Sequence, residues 1–121
     1  MTKRTGDELV QVLATLASPH RLRVVAALVG RRNYVSQLAR ELGISRPLLQ
    51  VHLRRLEAAG LVSATLELSE DGKAMRFYEV NPFVVHVTPE AVVAAAGTLT
   101  EDGEDGDAAA HRQSLKQKEG R

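Results

Sequence analysis

The stretch Leu38-Ala39-Arg40-Glu41-Leu42-Gly43-Ile44-Ser45, followed by Leu49 and Leu53, decides how the chain folds. Two helices that cross closely need a small residue on the first, a glycine that turns the chain tightly, and apolar residues that fix the crossing angle. Ala39, Gly43, Ile44 and Leu49 stand at those offsets, so the pattern predicts a helix-turn-helix. Leu49, Leu53 and Leu56 repeat at helical spacing, which carries the second helix from Ser45 or Arg46 to Ala59, with Gly60 as its stop. Pro47 falls in its first turn, where a missing N–H costs little, but it pushes Arg46 away from helical angles.

A helix-glycine-helix pattern alone is common in helical domains, and the sequence behind it narrows the reading. Residues 61–68 read as a strand, Glu70-Asp71-Gly72-Lys73 as a turn carrying the favoured Asp-Gly pair, and residues 74–80 as the returning strand. Helix, strand, turn and strand in that order are the order of a winged helix. The fold class expected is therefore mainly α with a β-hairpin wing, a winged helix-turn-helix.

Farther out, Leu9, Val12, Leu13 and Leu16 make residues 7–17 an amphipathic helix. Ser18-Pro19 caps and starts a second, residues 19–29, whose apolar residues cover more than one face and predict a buried central helix. Asn33 is placed to cap a short third helix ending at Leu42. Beyond Asn81-Pro82, Phe83 to Val87 reads as a candidate third strand. Thr88-Pro89-Glu90 then opens a last helix with Val92, Val93, Ala96 and Leu99 inward. Residues 1–100 are thus expected to form one winged helix-turn-helix domain for DNA binding and dimerisation. Residues 101–121, almost without large apolar side chains, are expected to be a disordered charged tail.

The chain of 121 residues has a net charge of +1, which hides an uneven distribution. Between Pro19 and Gly60 stand eight arginines (21, 23, 31, 32, 40, 46, 54 and 55) against Glu41 and Glu57, a local excess of +6 from eight minus two. Acids concentrate in the tail, at Glu101, Asp102, Glu104, Asp105 and Asp107. A basic block beside an acidic tail is the footprint of a polyanion binder. With no cysteine, disulfides, thiolate metal ligands and thiol catalysis are excluded. No phosphate loop, nucleophile elbow or His-x-x-x-His pair is present, which argues against an enzyme. The N-terminus lacks an apolar signal core and no apolar run approaches the roughly 20 residues that span a bilayer, so a soluble, cytoplasmic protein with no membrane partner is expected.

The segments LASPHRLRVVAAL, VSQLARELGIS and VHLRRLEAAGLV resemble the arsenic-repressor-like (ArsR/SmtB) winged-helix regulators of bacteria, over roughly residues 9–81. The resemblance implies a homodimer joined through its first and last helices, two recognition helices in successive major grooves, and a small-molecule effector that loosens or tightens the grip. Tyr34 and Ser36 stand where metal sensors of that family place two cysteines. The last helix holds Glu90 but no histidine, with His86 just before it. Neither metal site of the family is therefore expected, and no cofactor is. His20 and His52 likewise read as packing or surface residues, His52 on the inner side of the recognition helix.

If the leucines of the recognition helix point inward, its other residues face out. Arg46 suits the O6 and N7 of guanine, Gln50 the N6 and N7 of adenine, and Leu48 or Val51 a thymine methyl, with Pro47 in the same turn. Ser45 is placed to meet a phosphate at the helix start, and Arg54 and Arg55 lie farther along, where phosphates line the groove. Lys73 and Arg76 are the wing candidates. Leu9, Val12, Leu13, Leu16, Val92, Val93, Ala96 and Leu99, on chain ends that a four-helix core cannot cover, are the expected dimer interface. The function expected is a dimeric transcriptional regulator, in the repressor sense, on a pseudo-palindromic double-stranded DNA site. The competing reading is a winged helix that docks on another protein with no DNA readout.

Overall fold

Ser18 divides the first two helices because its hydroxyl accepts the Arg21 N–H while Pro19 supplies a first helical residue that has no N–H to satisfy. A computed structural model describes residues 3–100, and the expected disordered tail lies outside the described residues. The elements run α1 (Gly6–Leu16), α2 (Pro19–Leu28), β1 (Asn33–Tyr34), α3 (Val35–Leu42), α4 (Arg46–Ala58), β2 (Val62–Leu68), β3 (Ala74–Val80) and α5 (Pro89–Ala96). This is a winged helix-turn-helix. Among the described residues no helix is long and apolar enough to cross a membrane.

Two compact units divide the chain, Gln11–Val85 and, separately, Met1–Val10 with His86–Arg121. The first holds the core: Val12, Val24, Leu28, Leu38, Ala39, Leu49, Leu53, Leu56, Leu61, Val62 and Tyr78 are buried together. Three antiparallel strands in the order β1-β3-β2 close it on one side. Two expectations fail here. Asn33 does not cap α3; it lies in β1 opposite Tyr78, and its carboxamide oxygen accepts the Tyr34 N–H instead. The third strand is therefore β1, and residues 83–87 form no strand: Phe83 and Val85 turn half-buried onto the core while Val84 and Val87 face out. Nor is α2 buried all round. Val24 and Leu28 are inside, whereas Leu22 and Val29 are more than half exposed, so its dense apolar composition serves one face only.

In the second unit, residues 3–10 and 86–100 are described. Thr5 and Glu8 form a reciprocal capping box at the start of α1, each side chain accepting the other's backbone N–H. Gly6 donates its N–H to the Thr98 hydroxyl at 2.7 Å, and Asp7 receives the Thr100 N–H and hydroxyl. A Cβ on Gly6 would stand 2.1 Å from the Ala95 carbonyl oxygen, so only glycine permits this approach. No large apolar side chain of this unit is buried: Val10, Val92, Val93 and Leu99 are all at least 41% exposed, Ala96 is exposed and Leu9 is half-buried. The inward face expected for α5 is thus outward in the single chain. Of the other expected interface residues, Val12 belongs to the core and Leu16 packs half-buried against it, while Leu13 is exposed. Val12 is correspondingly removed from any contact surface, its place in the helical repeat having been spent on the interior.

Candidate nucleic-acid interface

The turn before α4 is built from backbone. Gly43 takes φ 68°, and the Ile44 N–H reaches back to the Ala39 carbonyl at 3.1 Å, which ends α3 sharply. Ser45 then caps α4, its hydroxyl accepting the Leu48 N–H and its carbonyl the Leu49 N–H. These two bonds hold Arg46 in the first helical position despite Pro47, so the displacement that proline was expected to cause does not occur.

Side chains of α4 separate cleanly by depth. Leu49, His52, Leu53 and Leu56 are buried, the three leucines completely. Ser45, Arg46, Pro47, Leu48, Gln50, Val51, Arg54 and Arg55 are all exposed. His52 is held between helices. Arg21 reaches its Nδ1 at 3.3 Å, His20 stacks on it with ring centroids 5.4 Å apart, and its Nε2 is buried with no partner among the described residues. Burial, then the charges of Arg21, His20 and Arg55, hold the imidazole below the usual histidine value, so the neutral ring accepts from Arg21.

The basic block resolves into two populations, which composition could not separate. Arg21 also bonds the Thr15 carbonyl, at the end of α1. Arg31 pairs with Glu41 at 2.6 Å, depressing that carboxyl, and Arg32 pairs with Glu67 while its guanidinium lies 4.4 Å over the Phe77 ring. Those three are structural. Arg23, Arg40, Arg46, Arg54 and Arg55 form no side-chain ion pair among the described residues. Arg40 escaped the sequence reading. It is exposed in the last turn of α3, the helix that crosses the backbone in helix-turn-helix docking, and its neighbour Glu41 is neutralised by Arg31.

In the wing, Val62 pairs with Val80 and the ladder runs out to Leu68 opposite Ala74. That leaves five residues in the turn, not a two-residue Asp-Gly loop. Asp71 has no positive φ; only Gly72 does, at 85°, and the Ser69 N–H meets the Lys73 carbonyl at 2.8 Å. Lys73 and Arg76 are exposed, as are Glu70 and Asp71, so the tip itself carries an excess of acid. Asp71 accepts from the Ser69 hydroxyl, which lowers its carboxyl. Tyr34 packs edge-on against Phe77 at 5.6 Å. Ser36 is half-buried, and His86 and Glu90 are exposed in the other unit.

With this geometry in place, comparison gives a consistent answer. The sequence pattern of bacterial regulatory proteins of the arsR family matches residues 18–64. An HTH-type transcriptional regulator of Methanocaldococcus jannaschii, MJ0229, is 33% identical over 85 residues, which are 70% of this chain and 88% of that protein. Among solved structures, the transcriptional repressor BigR from Xylella fastidiosa is 26% identical with a TM-score of 0.52, over 74% of this chain and 81% of its own. The solution structure of the homodimeric winged helix-turn-helix DNA-binding domain Mb0332 from Mycobacterium bovis has a TM-score of 0.56 at 22% identity, over 66% of this chain and 75% of its own, a likeness of fold. A glycine-turned helix pair, an arginine-bearing outer face on its second helix and a hairpin wing directly behind it, in a sequence with these relatives, make the chain a DNA-binding transcriptional regulator, not an enzyme, and a member of the arsR family.

Proposed function

We propose that the protein is a homodimeric repressor that reads a pseudo-palindromic operator through α4 and the wing. The observation that carries this is the sorting of α4: every side chain assigned to DNA is exposed and the helix is locked in place by residues that are not. Arg46 and Gln50, in the first two turns, read base edges, with Leu48 and Val51 against thymine methyls and Pro47 beside them. Ser45, Arg54 and Arg55 meet phosphates, joined by Arg40 from α3 and by Lys73 and Arg76 from the wing. Dimerisation uses the uncovered apolar residues of the chain-end unit, Leu9, Val92, Val93, Ala96 and Leu99, with Val10 added to those expected. Leu13 is also free to take part. The repressor sense and the two-fold assembly are supported by BigR and Mb0332, of which they are described.

Selecting preferred duplexes from a random pool with purified protein tests the reading, because two-fold symmetric sites would report DNA readout and dimerisation together. On such a site Arg46→Ala or Gln50→Ala is expected to cost about 1–3 kcal/mol and relax base choice, with little effect on random DNA. Arg55→Ala weakens both DNAs equally. Affinity within twofold of the parent for all three would sink the proposal in favour of protein docking.

A further inference from the structure

The loop between α2 and β1 and the end of β3 enclose an open cleft of about 400 Å³, lined by none of the residues assigned to DNA or to the dimer. Val29, Val80 and Pro82 give it apolar walls, and Arg31, Arg32 and Glu79 stand around it. Val29 is 65% exposed, so the cleft offers apolar surface that the chain leaves in water. Its volume lies at the lower end of the range for small-molecule sites, roughly 300–1,000 Å³.

Charge decides what such a cleft takes. Both arginines are committed, Arg31 to Glu41 at 2.6 Å and Arg32 to Glu67, with the second guanidinium over the Phe77 ring. Glu79 forms no hydrogen bond or ion pair among the described residues. Arg32 feels its charge, but that guanidinium is raised first by the bond to Glu67 and last by Glu79. Two arginines against Glu41, Glu67 and Glu79 leave one negative charge, two minus three, on the cleft and its braces. The end of α2 adds to it, because helix carbonyls carry partial negative charge at a C-terminus and no basic residue stands in this last turn. The Val25 and Leu28 carbonyls take the N–H groups of Val29 and Arg31, while those of Ala26 and Ala27 receive none from the loop. Asn81 brings no competing donor, its carboxamide being bonded to the Gly60 carbonyl and the Ser63 hydroxyl.

We propose that this cleft binds a small organic cation, a primary ammonium on an alkyl or arylalkyl stem, with the ammonium on Glu79 and the end of α2 and the stem against Val29, Val80 and Pro82. A primary ammonium brings three donors to a carboxylate that has none, whereas an anionic ligand would find both guanidinium groups already bonded. The two ion pairs also fix the loop that forms one wall. Arg31 ties it to α3 and Arg32 ties it to the wing, so the cleft is formed before a ligand arrives.

Phenethylammonium serves as the probe, with 2-phenylethanol and 3-phenylpropionate as neutral and anionic counterparts of similar size. Each is titrated into the full chain while the backbone amide resonances are followed by NMR. The ammonium is expected to move the amides of residues 29–32 and 79–81 with a dissociation constant of about 1 mM, about fivefold tighter than the alcohol, the scale of one exposed charge pair. Glu79→Gln removes the charge at nearly constant size and is expected to bring ammonium and alcohol to equal affinity. Val29→Lys, at an exposed position, places an ammonium of the chain's own at the cleft and is expected to abolish binding, with amides elsewhere unmoved. Gln50→Ala leaves the titration unchanged, since the site does not depend on the α4 reading. Stronger binding of the propionate at the same amides would assign the cleft to its arginines and overturn the proposal. Equal binding of all three compounds, a fivefold preference that survives Glu79→Gln, or still amides at tens of millimolar ammonium would overturn it too.

Discussion

The Gln11–Val85 body and the unit formed by the chain ends are both rich in aliphatic residues, yet they dispose of them in opposite ways. In the body, leucines from α2, α3, α4 and the segment behind it converge on one centre and vanish from solvent. In the chain-end unit the described buried residue is a glycine, and the valines of α5 stand in water. The difference lies in how many apolar faces meet. Four elements can enclose a leucine, whereas an eight-residue helix beside one end of another cannot. The body therefore has the means of its own stability, and the chain ends have apolar surface that association would cover.

The sharpest way to break that contrast is Leu53→Ala. The side chain is completely buried, so its loss is expected to cost about 2–5 kcal/mol in chemical denaturation, through lost transfer energy and the cavity left behind. A cost under about 1 kcal/mol, the level of a surface change, would mean the core is not centred on α4. The second change addresses the chain ends. Gly6→Ala places a Cβ against the Ala95 carbonyl and within 2.8 Å of Leu99, an overpacking expected to cost about 1–3 kcal/mol. Sedimentation equilibrium should show a weaker dimer, and the variant's unfolding midpoint should fall below the parent's. A dimer of unchanged strength would detach the chain ends from assembly.

The smallest effect concerns His52, one of the buried polar groups of the body. Its folded-state value is held below the ordinary 6.5, chiefly by burial. The folded protein thus binds this proton less readily than the unfolded chain. Its stability is whole above 6.5 and declines as pH falls through that value, until the folded-state value is passed. Glu41 and Glu67, held down by their arginines, act in a separate window below the ordinary 4.5. His52→Gln offers Arg21 an acceptor that does not titrate. The loss of unfolding free energy between about pH 7.5 and about pH 5.5 should be smaller in the variant than in the parent. Identical losses would show that some other group carries the titration.

The helices of the body were legible because Leu49, Leu53 and Leu56, and Leu38 with Leu42, keep helical period, and because Gly43 and Ser45 carry local conformational demands. What escaped were pairings between residues distant in sequence. β1 is two residues long, too short for any period, and exists only because Phe77 and Tyr78 lie beside it. Phe83 to Val87 had strand-like composition and forms no strand. Arg21, Arg31 and Arg32 looked the same as Arg46 and Arg54 until their partners at Thr15, Glu41 and Glu67 were in place. Leu66 and Leu68 of the wing, both exposed, followed strand alternation correctly and gave no sign that the core ended beneath them.

One feature of α4 bears on descent. From Arg46 to Arg55 no outward side chain forms a hydrogen bond or ion pair with another described residue. Exchanges at such positions usually alter stability by no more than about 0.5 kcal/mol. A lineage can therefore change the sequence it recognises one codon at a time, each intermediate still folding, and gene duplication can yield paralogues that share a scaffold and answer to different promoters. Ser45 is the exception, since its hydroxyl caps the helix that it would also help to place on DNA.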